Sequence, residues 1–151
     1  MQFVEDAFPV VVLVSPVAGW DESTIRAMAA KFEEYWRKRQ RYALITHTPR
    51  GSAAATAKTR KLITDWANEP KVREMSARWC VASATIVPNA IARGALTAML
   101  WVWTPSSPHH VAGTPEEALD FCLDRIAKAN VALPDTPEAV RRSVLRVLRE
   151  T

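Results

Sequence analysis

The sequence predicts an α/β layered fold: four to five strands in a largely parallel sheet, flanking helices and a further C-terminal helix. Three observations predict it. Short β-branched or apolar runs recur along the chain, at Phe8–Ser15, Tyr42–Thr48 and Trp79–Val87. Segments of helical periodicity separate them, and strands alternating with helices imply parallel pairing, with right-handed crossovers laying the helices on the sheet faces. The chain has 151 residues, 48% hydrophobic and 24% charged, which is the size and composition of about one globular domain.

The elements follow in order. Phe3 and Val4 are expected to form a short edge strand that turns back through Glu5 and Asp6 into the run FPVVVLVS, which Pro16 and Gly19 close. Asp21 is the expected N-cap of a first helix whose inward stripe is Ile25, Met28, Ala29, Phe32, Tyr35, Trp36 and Arg39. Trp20, just before that cap, suits a hydrophobic staple. After YALITHT and a Pro-Arg-Gly-Ser turn, a helix from about Ala53 to Asn68 places Leu62, Ile63 and Trp66 inward and ends at Pro70. Lys71–Arg78 is expected to form a further short turn before the third long strand. His109–Ala112 is a short final strand. Thr114 as N-cap, Pro115 at the first helical position and Glu117 closing a capping box then start another helix, buried through Ala118, Phe121, Cys122, Leu123 and Ile126. Leu133–Pro137 breaks the chain, and Thr136 caps the last helix. The expected division is an α/β domain over 1–133 and a basic amphipathic helix over 134–151.

Asn89–Trp103, NAIARGALTAMLWVW, is the unusual segment. Read as a helix it is apolar almost all the way round, with Arg93 its single charge, whereas a surface helix shows one apolar stripe and one polar face. Such a helix is buried on more than one side, by its own domain and by a partner. Leu96, Met99, Leu100, Trp101 and Trp103 are the expected partner-binding residues. Trp101 and Trp103 project about 200° apart on a helix, so they do not share one buried face: one covers the core, and the other either meets a partner, where Trp is favoured at interface hot spots, or is covered by the following Thr104–Pro108 segment.

Composition bounds the function. The N-terminus is acidic where a signal peptide is basic, and Trp79–Trp103 is broken by polar residues, Pro88 and Gly94, so neither secretion nor membrane insertion is expected and the chain reads as cytoplasmic. Cys80 and Cys122 lie inside apolar runs and read as small core residues in a reducing compartment. The net charge of +4 gathers in part on Arg141, Arg142, Arg146 and Arg149, most simply a solvated helix face, and no nucleic acid is expected. Four glycines leave little material for a phosphate-cradling loop, and His109 and His110 point to opposite faces of a strand. No catalytic residue, cofactor or metal is assigned.

The order of a short hairpin followed by alternating helices and strands resembles the STAS, or SpoIIAA-like, fold, and the pattern is similar to uncharacterised bacterial STAS-like proteins. VVVLVSP with the helix from Asp21, and IVPNAIARGALTAMLW followed by TPEEALDF, carry the likeness over roughly Phe3–Asn130. The resemblance implies a non-catalytic regulatory or scaffolding domain that docks a protein partner or forms a homodimer. It also implies a phosphorylated Ser or Thr at the start of the helix after the second central strand. Ser52 best fits that position and Thr56 is next, although the usual Asp-Ser-Ser/Thr-Gly pattern is missing. The alternative is a small-ligand protein, binding an anion or a lipid, or an enzyme, with its site at the carboxyl ends of the strands. There Arg50, Ser52, Asn89 and Arg93 stand beside helix N-termini able to hold an anion, the simpler reading being that Asn89 only caps a helix.

Overall fold

The structure is a computed structural model and describes residues 1–53, 56–91, 93–94 and 104–150. Five strands, β1 (Gln2–Val4), β2 (Val10–Val14), β3 (Tyr42–His47), β4 (Cys80–Ile86) and β5 (His109–Ala112), form one sheet in sequential order. β1 is antiparallel to β2 and every other pair is parallel. Five helices are described: α1 (Glu22–Arg37), α2 (Ala57–Asn68), α3 (Pro70–Trp79), α4 (Pro115–Lys128) and α5 (Pro137–Glu150). The α/β fold with a mostly parallel sheet is therefore present.

The sheet separates two apolar layers. On one face Val10, Val12 and Val14 of β2, Ala43 and Ile45 of β3, and Ala82, Ala84 and Ile86 of β4 cluster with Leu119, Cys122 and Ile126 of α4 and Val140, Val144 and Leu148 of α5. On the other, Val11 and Leu13 meet Ile25, Met28, Phe32, Tyr35 and Trp36 of α1 and Val72 of α3, with Leu62, Ile63 and Trp66 of α2 packed alongside. β2 is buried at all five positions because both its faces are covered, the usual state of a parallel strand. Each fully buried Val, Leu or Ile contributes roughly 1.5–3 kcal/mol.

Local chemistry sets the element ends. Asp21 caps α1 as expected: its carboxylate accepts the Thr24 N–H at 2.7 Å, and Thr24 Oγ1 accepts the Asp21 N–H at 2.9 Å. Arg39, expected on the inward stripe, instead lies past the helix end with φ 55°, where its own N–H and that of Gln40 donate to Trp36 and Tyr35 carbonyls. β2 begins at Val10, since the Phe8 and Val10 N–H groups are taken by the carbonyls of Glu5 and Ala7 in a turn. α2 begins at Ala57, four residues later than expected, because the Ala53 N–H is held by the Val17 carbonyl and Thr56 forms the cap.

Lys71–Arg78 is a helix, where a short turn was expected. Pro70 stands at its first turn, where the missing N–H costs nothing, so this proline starts α3 as well as ending α2. Trp79, expected in the strand, is the last residue of α3. At α4, Thr114 caps the Glu117 N–H at 3.2 Å as expected, but the Glu117 carboxylate reaches one residue further back, accepting the Gly113 N–H at 2.7 Å. The last helix is no outrigger: α5 buries Val140, Val144 and Leu148 in the α4-side core, and its Arg141 and Arg149 pair with Asp120 and Glu116 of α4.

Candidate functional site

Because β2 to β5 run parallel, their carboxyl ends lie together at one end of the sheet, and the loops leaving them carry the candidate residues. After β2, Ser15 is buried. Its N–H donates to the His47 carbonyl at 2.8 Å and its hydroxyl accepts from Thr48 Oγ1 at 3.2 Å, tying the first two strand ends together. Val17 follows, 59% exposed, and its carbonyl fixes Ala53. Gly19, at φ 90°, brings the backbone so close that a Cβ there would stand 3.2 Å from that of Ala53.

The turn after β3 carries Arg50 and Ser52. Arg50 is exposed, and among the described residues it has no ion-pair partner. Ser52 donates its N–H to the Pro49 carbonyl at 3.2 Å, while its hydroxyl oxygen is buried with no hydrogen-bond partner among the described residues. Thr56 is occupied structurally, its hydroxyl accepting the Thr59 N–H at 3.1 Å as the α2 cap.

After β4, the Asn89 carbonyl accepts the Arg93 N–H at 2.9 Å. Ile91, between them, is 86% exposed. The Arg93 guanidinium turns back to the strand end, with Nη1 donating to the carbonyls of Val87 at 3.0 Å and Pro88 at 3.2 Å. Arg50 thus stands in the loop after β3 and Arg93 at the end of β4, with its Nη1 on two backbone carbonyls. Of the expected partner-binding residues, Leu96, Met99, Leu100, Trp101 and Trp103 lie outside the described residues, as does most of the 89–103 segment.

Two pairs are absent from any sequence motif. Ser83 Oγ and His109 Nδ1 stand 2.7 Å apart as partners in the β4–β5 register, on the α1–α3 side of the sheet. Burial, and secondarily the neighbouring His110, pushes the His109 pKa down to about 4, so its ring is neutral at pH 7. His110, pointing to the other face, meets Glu117 Oε1 at 2.8 Å. Glu117 is held below the usual carboxylate range first by the Gly113 N–H and then by His110, with Arg93 adding to it. The alternation in VASAT and HHVA signals which face each side chain takes, but only strand register makes Ser83 and His109 neighbours.

The thiols are buried and unpaired, and burial pushes Cys80 up to about 11 and raises Cys122 as well. Among the described residues no group of three or more His, Cys, Asp or Glu side chains is placed to hold a metal ion, and no helix is long and apolar enough to cross a membrane. Open grooves of about 460 Å³ between α1 and α3 and about 440 Å³ at the α4–α5 elbow both lie away from the strand ends. Comparison with known proteins found no matching family model, no similar curated protein and no similar solved structure.

Proposed function

We propose that this chain is a non-catalytic, STAS-like regulatory or scaffolding domain that docks a second copy of itself through the strand-end surface at the root of the apolar 89–103 segment. One observation carries the reading: Ile91, the first large apolar residue of that segment, is 86% exposed. Val17, 59% exposed, follows β2 at the same end of the sheet, and on this proposal it shares one apolar patch with Ile91. A two-fold dimer needs only one such patch. The element order, a hairpin followed by alternating helices and strands, supports the STAS likeness, and buried, unpaired cysteines suit a cytoplasmic setting.

The hydrogen-bonding groups at the strand ends favour docking over chemistry. Thr48 is spent on Ser15, Thr56 on the α2 cap and Arg93 on two carbonyls. Native mass spectrometry of the wild type and Ile91→Asp tests the reading. A wild-type dimer that becomes monomeric in Ile91→Asp, with unchanged far-UV circular dichroism, is the expected result. A wild-type monomer retaining one small molecule overturns it.

A second reading, a small-anion site after β3, rests on the buried, unpartnered Ser52 hydroxyl beside exposed Arg50. Calorimetric titration with inorganic phosphate decides it, since Arg50→Ala must abolish any heat of binding the wild type gives.

A further inference from the structure

Arg93 does more than solvate the start of its segment. Its Nη1 donates to the carbonyls of both residues that follow β4, Val87 and Pro88. Val87 is itself bound to β5, its N–H donating to the Ala112 carbonyl at 2.8 Å. The guanidinium lies against the next residue of that corner: a Cβ built on Gly113 would stand 3.1 Å from Arg93 Nη1 and 3.3 Å from Cζ. Glu117 Oε2, which accepts the Gly113 N–H, is 3.5 Å from the same point. Glu117 is thereby fixed to the corner from the first turn of α4, and its other oxygen is held by His110.

The half-buried guanidinium is therefore bordered by two strand-end carbonyls, a bare glycine backbone and a nearby carboxylate. A charged donor on neutral carbonyls makes the stronger class of hydrogen bond. An alanine Cβ at 113 would oblige the guanidinium to give by a few tenths of an ångström, whereas a branched side chain there would take up its seat. Gly113 needs no left-handed backbone, so the absence of a Cβ here answers to close approach and not to turn geometry.

We propose that Arg93 is a positioning residue: seated on Val87, Pro88 and Gly113 beside Glu117, it pins the root of the 89–103 segment to the β5–α4 corner, and the docking surface is presented only while this clamp is closed. The second half of the proposal rests on the docking function above; the first half does not.

Hydrogen exchange and sedimentation on the full chain separate the two. Gly113→Val and Arg93→Gln are each expected to speed exchange of the 89–91 and 93 amides at least tenfold, with β2 and β3 protection unchanged, and to weaken the dimer at least tenfold. Arg93→Lys keeps a cation able to donate to the carbonyls and restores part of both. In the double variant the second change adds little, since both single variants empty the same seat. Unchanged exchange in both single variants overturns the clamp and leaves docking standing. Faster exchange with an unchanged dimer overturns the claim that the clamp governs docking. A monomeric wild type overturns the docking function and with it that second claim, while exchange still decides the pinning.

Discussion

Ser83 and His109 face each other from adjacent parallel strands, Oγ to Nδ1 at 2.7 Å, and between them satisfy two polar groups on the inner side of the sheet. Burial holds His109 near a pKa of about 4 against an ordinary 6.5. Between those values the unfolded chain binds more protons than the folded one, so stability rises with pH across that window and is lost as acid is added. Acidifying through that window costs the fold on the order of 3 kcal/mol relative to neutral pH. Urea midpoints measured from pH 4 to 7.5 should show this slope, and His109→Gln should flatten most of it. His47, also lowered by burial, accounts for a smaller remainder of the same sign.

Ser83→Ala should cost about 1–3 kcal/mol, because it leaves the ring nitrogen of His109 without its partner. Thermal denaturation of this variant beside Ser83→Thr, which keeps the hydroxyl, would read it: an equal loss in both variants would show that packing and not the hydrogen bond is at stake.

Phe32 is the hub of the other layer, with ring centroids 5.5–6.4 Å from those of Phe3, Tyr35, Trp36, Tyr42 and Trp66. Phe32→Ala should cost about 3–5 kcal/mol and alter the near-UV circular dichroism. Arg141→Ala, which removes an exposed ion pair to Asp120, should cost less than about 1 kcal/mol in the same denaturant titration.

Neither cysteine should react with iodoacetamide in the native protein at pH 8, because both thiols are buried and held above their ordinary values. Intact mass after alkylation should show no adduct natively and two in denaturant. A native adduct on Cys80 would mean that β4 opens on the timescale of the reaction.

Deleting residues 134–151 should do more than remove a tail. Val140, Val144 and Leu148 cover Val10 and Val12, so the truncated chain should bind an apolar dye and melt well below the full one. An unchanged melting temperature would make 1–133 a domain in its own right.

Much of the architecture was legible because independent local signals agreed. At Asp21 and Thr114 a capping side chain, a change of periodicity and a neighbouring strand coincide, and both helices start where expected. Reading failed where one residue serves two elements. Pro70 reads as a stop, and only the i, i+3, i+7 spacing of Val72, Met75 and Trp79 marks the helix it starts. Arg39 fits a helical stripe, yet the chain turns left-handed there. The site was less legible than the fold. Arg93 announced itself as the lone charge of its segment, but its partners are two carbonyls, a glycine and a carboxylate that approach from other elements, and backbone acceptors leave no trace in side-chain spacing.

The contact of α5 with the first strands also orders events during synthesis. Val4, Ala7, Val10 and Val12 from the β1–β2 hairpin border Val144 and Val147 of α5. A ribosome makes the hairpin before the helix, so the hairpin's apolar side waits for its cover until α5 has emerged. Throughout that interval the apolar surface is open to non-native contacts, and the 14 residues of α5 close it.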